Sequence, residues 1–146
     1  MAYSGFDLRG RTAVVVGGTS GIGQTIALGL AEAGADVIPS ARRAEMVEAT
    51  AKKIEALGRR SLRACADVLD RSSLEGLLAR TVSKFGQVDI MVYAAGRTKR
   101  TPFLDVGESE WSEILETNLT GAYRSSQVSV AIWSKESTDA SLTSLR

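Results

Sequence analysis

Thr12-Ala13-Val14-Val15-Val16-Gly17-Gly18-Thr19-Ser20-Gly21-Ile22-Gly23 is the stretch on which the reading of this chain turns. A short β-branched apolar run that ends in glycines has the pattern of a strand buried on both faces. Ile22, Ile26 and Leu30 then fall at i, i+4 and i+8, which predicts a helix over 21–33 with Gly34 as its stop. A strand that passes through glycine into a helix gathers backbone N–H groups and the positive end of the helix dipole at one point. That is the arrangement that receives a diphosphate. A plain turn is the simpler alternative, but it needs one glycine, not Gly17, Gly18, Gly21 and Gly23 together. Gly17, Thr19, Ser20, Gly21, Ile22 and Gly23 are therefore the candidate cofactor contacts.

Outward from this loop the chain alternates strand and helix. Asp36-Val37-Ile38-Pro39-Ser40 reads as a second strand, with Pro39 awkward because it removes a ladder donor. Val47, Ala51 and Ile54 share one face of a helix predicted over 45–57 and stopped by Gly58. Residues 61–66 read as a strand. Asp70 can cap a helix to Lys84, with Leu74, Leu77, Leu78 and Val82 inside and Gly86 after it. A further strand is predicted over 88–94 and a long helix over 108–133, with Trp111, Leu115, Leu119 and Tyr123 along one face and Tyr123 as a packing residue. The pattern predicts an α/β fold, a Rossmann-type doubly wound parallel sheet of about four βα units, incomplete. Residues 1–133 form the expected domain. Residues 134–146 read as an irregular, polar tail where a fifth buried strand is expected, leaving the fourth strand as an open edge.

Composition narrows the function classes. The 146 residues suit one domain, with 44% hydrophobic and 24% charged residues and a net charge of +1. So balanced a charge gives no global attraction to nucleic acid or anionic membrane, and no apolar run approaches the ~20 residues of a membrane span. The N-terminus lacks the pattern of a signal peptide. A single cysteine, Cys65, excludes an internal disulfide and points to the cytoplasm; it reads as a small buried hydrophobe. Histidine is absent, which excludes Ser-His-Asp and Cys-His catalysis and His-based metal sites. No metal is expected.

The glycine spacing resembles the T-G-x-x-x-G-x-G loop of the short-chain dehydrogenase/reductase family, with Gly17, Gly21 and Gly23 in the glycine places and Val16 in place of the threonine. Ala66-Asp67-Val68 stands where that family has an aspartate beside the adenine ring. Tyr93-Ala94-Ala95-Gly96 stands where it has N-N-A-G, and Thr117-Asn118-Leu119-Thr120-Gly121 matches its N-x-x-G segment. The resemblance covers roughly residues 6–130 and is nearest to bacterial 3-oxoacyl-carrier-protein reductases and gluconate dehydrogenases. It implies hydride transfer between a nicotinamide cofactor and a small-molecule alcohol or ketone, and relatives that are homo-oligomers. It adds Asp67, Val68, Ala94, Ala95 and Gly96 to the cofactor contacts. A turn role is the alternative for Asp67.

The cofactor preference is read from charge. An acid at the end of the second strand would bind the ribose 2′-OH of NAD, but Ala41 occupies that place. Arg42 and Arg43 follow, and guanidinium groups match a phosphate, with Ser40 adding a hydroxyl. NADP(H) is thus preferred, with NAD(H) as the alternative. Solvated arginines at a helix start are the plainer reading.

For catalysis the resemblance implies a tyrosine acid/base, a lysine that lowers its pKa, a serine that holds the substrate oxygen and an asparagine in a water relay. Asn118 matches the asparagine and Ser141 the serine. No tyrosine lies four residues before a lysine anywhere in the chain. Weak or absent activity of this polypeptide alone is therefore expected. A non-catalytic NADP(H)-binding module and an unstable truncated fragment stand as alternatives.

Overall fold

The computed structural model describes residues 4–143, with side chains described for 5–135. Three parallel strands form one sheet in the order β2-β1-β3: β1 is Thr12–Val16, β2 Asp36–Ser40 and β3 Ile90–Tyr93. Helix α1 (Gly21–Glu32) crosses from β1 to β2, and α2 (Ala44–Ala56) and α3 (Arg71–Phe85) lie between β2 and β3. After β3 come α4 (Glu108–Leu115), a π-helical turn (Glu116–Thr120) and α5 (Gly121–Thr143).

Alternation along β1 splits the core into two layers, because successive strand residues face opposite sides. Ala13 and Val15 pack with Ala27, Ala31, Val37 and Ile54 beneath α1 and α2. Val14 and Val16 pack with Ile38, Leu74, Leu77, Leu78 and Val128 beneath α3 and α5. All five β1 residues are buried, as a central parallel strand requires. In α2 the expected face holds, with Val47, Ala51 and Ile54 buried. In α3 the Asp70 carboxylate accepts from the Ser72 N–H, and Gly86 closes the helix at φ 86°.

The buried face of α1 differs from the expected one by one residue. Gly23, Ala27 and Ala31 are buried, while Ile22 is 79% exposed. Small residues at i, i+4 and i+8 let the helix axis sit close to β1, and this outweighs the larger area that Ile22 offers.

The expected strand over 61–66 is extended beside β2 but forms no ladder. Val37 N–H donates to the Arg60 carbonyl and Ala66 N–H to the Ala41 carbonyl, so the odd residues of β2 point toward this segment. Pro39 is one of them and has no proton to give. Hydroxyls fill in: Ser61 donates to the Val37 carbonyl and Ser40 to the Ala64 carbonyl. Arg63 ties the segment to α2 through Glu48 and Glu55. Cys65 is exposed, not buried, because Ala64 and Ala66 take the inward places.

The expected long helix over 108–133 is divided by the π turn. The irregular segment expected from Ser134 is instead helical in backbone as far as Thr143; no glycine or proline interrupts the chain between Ala122 and Arg146, so nothing local stops the helix. Tyr123 is 59% exposed rather than packed, its hydroxyl accepting from the Gln127 amide. The opposite face of α5 is buried through Ser125, Val128 and Ser129. The Trp133 indole N–H fastens α5 to the sheet by donating to the Val88 carbonyl at 2.6 Å.

Leu77, buried between α3 and the sheet, tests this second layer. Leu77→Ala is expected to cost about 2–5 kcal/mol, measured as a lower urea midpoint at unchanged slope.

Candidate functional site

β1 is flanked by β2 on one side and β3 on the other; α1, which leaves β1, covers one face of the sheet and α5, which follows β3, the other, and such divergence places a crevice at the carboxyl ends of β1 and β3. Gly17 turns the chain out of β1 at φ 79°, and a Cβ there would lie 2.4 Å from the Ala95 nitrogen. A Cβ on Gly23 would lie 2.1 Å from the Gly17 carbonyl oxygen. These two glycines are therefore packing requirements that join the β1 turn, the start of α1 and the chain after β3. Gly21 differs: its φ is 50° and the space beside it is open.

The amides of the turn divide into two sets. Gly17 N–H donates to the Ser40 carbonyl, Gly18 N–H to the Val15 carbonyl, and the first helical bond of α1 runs from Gln24 to Ser20. Among the described residues, the N–H groups of Gly21, Ile22 and Gly23 donate to no backbone carbonyl. Ser20, at the N-cap, makes no side-chain cap bond, and the first turn of α1 holds no acidic residue. Unsatisfied donors at a helix N-terminus with no competing carboxylate fit an anionic diphosphate. Thr19 is buried, and its carbonyl accepts from the Gln24 amide.

At the end of β2, Arg42 and Arg43 are exposed, and among the described residues neither guanidinium has an ion pair. Ser40, expected to contribute a hydroxyl, is fully buried with its proton committed to Ala64. Asp67 shapes its own turn, its carboxylate accepting from the Leu69 N–H at 3.0 Å, while Val68 is buried against Gly121. Ala94 is held to β1 through the Val16 carbonyl, and Gly96 is exposed.

Asn118 lies in the π turn, and its amide is used on both sides. The oxygen accepts from the Arg97 N–H at 2.8 Å and the nitrogen donates to the Arg97 carbonyl at 3.0 Å. It pins the loop after β3 to the helix. The Arg97 guanidinium pairs with Glu113, and Lys99 with Glu110. Ser141 falls on the α5 backbone, with its side chain outside the described residues. Among the described residues no group of His, Cys, Asp or Glu is placed to hold a metal.

Tyr93 carries no site role in the sequence reading, yet its hydroxyl donates to the Thr117 carbonyl. The signal was a tyrosine where the resembling motif has asparagine, and it becomes meaningful only once Gly121 is seen to leave room for the ring.

This crevice belongs to a Rossmann-type nucleotide-binding fold. The sequence profile of the short chain dehydrogenase family matches residues 11–139, and the chain belongs to that family, which implies a NAD(P) cofactor. It is 39% identical over 127 residues to the 2-dehydro-3-deoxy-D-gluconate 5-dehydrogenase of Escherichia coli K12, covering 87% of this chain and 49% of that protein. It is 36% identical over 114 residues to the 3-oxoacyl-acyl-carrier-protein reductase FabG of Staphylococcus aureus Mu50, covering 77% and 46%. The crystal structure of a short-chain type dehydrogenase/reductase from Mycobacterium marinum superposes with a TM-score of 0.84 at 33% identity, over 87% of this chain and 51% of that one. The chain spans about half the length of these relatives.

Gly23→Ala tests the close approach at the turn. It is expected to abolish saturable NADPH binding and lower the melting temperature, whereas Gly29→Ala, in open space on the same helix, is expected to change neither binding nor stability adversely; calorimetric titration and thermal unfolding check both.

Proposed function

We propose that this chain is the cofactor-binding part of an NADP(H)-dependent oxidoreductase that transfers hydride between the nicotinamide ring and a small alcohol or ketone. The observation that carries this reading is that the N–H groups of Gly21, Ile22 and Gly23, at the start of α1 beyond the carboxyl end of β1, donate to no backbone carbonyl among the described residues. These groups would hold the diphosphate, and Arg42 and Arg43 would receive the 2′-phosphate, which a guanidinium binds well and a bare ribose does not need. NAD(H) binds more weakly for want of that phosphate. The bound nicotinamide supplies the hydride, and the protein's residues hold and orient it.

The proton is a separate matter. Carbonyl reduction needs a group that protonates or polarises the developing alkoxide, and no Tyr-x-x-x-Lys pair occurs in the 146 residues. The 146-residue polypeptide therefore binds NADP(H) with little or no turnover by itself. Gluconate-type and 3-oxoacyl substrates are the classes suggested by the relatives. The exposed stripe of Trp111, Leu115, Leu119 and Tyr123 supports pairing with a second copy. The cytoplasm is the compartment proposed from the single cysteine.

Fluorescence titration with NADPH and NADH tests the reading, with saturable NADPH binding expected. A double substitution, Arg42→Ala with Arg43→Ala, is expected to weaken NADPH binding about 10–100-fold and to leave NADH binding nearly unchanged. Equal loss for both nucleotides would remove the arginines from the 2′-phosphate; no binding of either to folded protein would end the reading.

A further inference from the structure

We propose that Tyr93 is a positioning residue: its hydroxyl holds the π turn in the register at which Asn118 clamps the loop after β3 against the glycine turn. Tyr93 ends β3 opposite Val16 and faces the layer under α3 and α5. In an α-helix the Gly121 N–H would bond the Thr117 carbonyl, four residues back. Here that N–H goes to Glu116, five back, and the Thr117 oxygen that loses its α-helical donor accepts the Tyr93 phenol at 2.5 Å.

Gly121 makes this bond sterically feasible. A Cβ at 121 would lie 2.4 Å from the Tyr93 oxygen, so any side chain there displaces the hydroxyl. Burial pushes the phenol's pKa up from its ordinary value, and it stays a proton donor across the neutral range. Asn118 follows Thr117 directly and brackets the Arg97 backbone with its amide. Return of the turn to α-helical bonding would rotate Asn118 by ~100° relative to α5 and break both bonds. The same loop begins at Ala94 and Ala95, which abut Gly17, so the phenol acts on the crevice wall through Asn118. A tyrosine that merely satisfies its own hydroxyl would have no such effect at Arg97.

Amide hydrogen exchange on the 146-residue chain separates the two. Tyr93→Phe keeps the ring and removes the bond; Asn118→Ala removes the clamp itself. Exchange at the Arg97 amide is expected to quicken about tenfold or more in both variants, with the Val14 and Val15 amides still protected. NADPH binding is expected to weaken about fivefold in Tyr93→Phe. An Arg97 amide that quickens in Asn118→Ala but keeps its wild-type rate in Tyr93→Phe overturns the proposal, as does one indifferent to both changes. Should Tyr93→Phe also expose Val14 and Val15, Gly121→Ala displaces the hydroxyl with the ring retained. Loss of β1 protection there too assigns the pair to general packing and overturns the proposal, whereas loss confined to Arg97 upholds it. The cofactor reading enters only through the NADPH arm: failure of the wild type to bind NADPH defeats that reading and leaves the amide comparison to decide this one.

Discussion

The contact on which the rest depends is made by two missing side chains. The Gly17 carbonyl occupies the space in which a Cβ on Gly23 would sit, and the Ala94–Ala95 backbone occupies the space beside Gly17. Three pieces of chain thereby meet at backbone distance: the end of β1, the first turn of α1 and the exit of β3. A methyl group at either glycine would force them apart. The rest of α1 follows suit, since Ala27 and Ala31 continue the small-residue face that Gly23 begins. Close packing here is an electrostatic device, because it points a helix terminus into a crevice.

Much of this is legible in the sequence alone. The β1 run, the glycine turn, the Asp70 cap, the Gly86 stop and the apolar faces of α2 and α3 are local signals, each fixed by propensity or periodicity within a few residues. What was not legible depends on partners distant in sequence. The segment over 61–66 has a strand-like composition, and only the direction in which Pro39 faces explains why it does not join the ladder. The largest apolar residues of α1 point to one face, whereas the sheet selects its smallest. The same limit applies at the site. Ser40 reads as a free hydroxyl until Ala64 is found beside it, and the hold of the Asn118 amide on the Arg97 backbone shows only in the fold.

The last part of the described chain has two contrasting faces. One side of α5 is seated on β3 and α3 through Val128 and the Trp133 indole. The other side continues from α4 as Trp111, Leu115, Leu119 and Tyr123, all more than a third exposed. The π turn lies between α4 and α5 and sets the rotation of one against the other, so a single backbone irregularity governs both the loop at the crevice and the direction of the apolar stripe.

The bond from the Trp133 indole to the Val88 carbonyl has a practical use. The other tryptophan, Trp111, stands 58% exposed, so the chain carries two optical reporters in unlike surroundings. In the single chain, soluble quenchers such as iodide reach Trp111 more readily than the half-buried Trp133. Emission that resists quenching therefore reports whether α5 is still seated on the sheet, without any label being added.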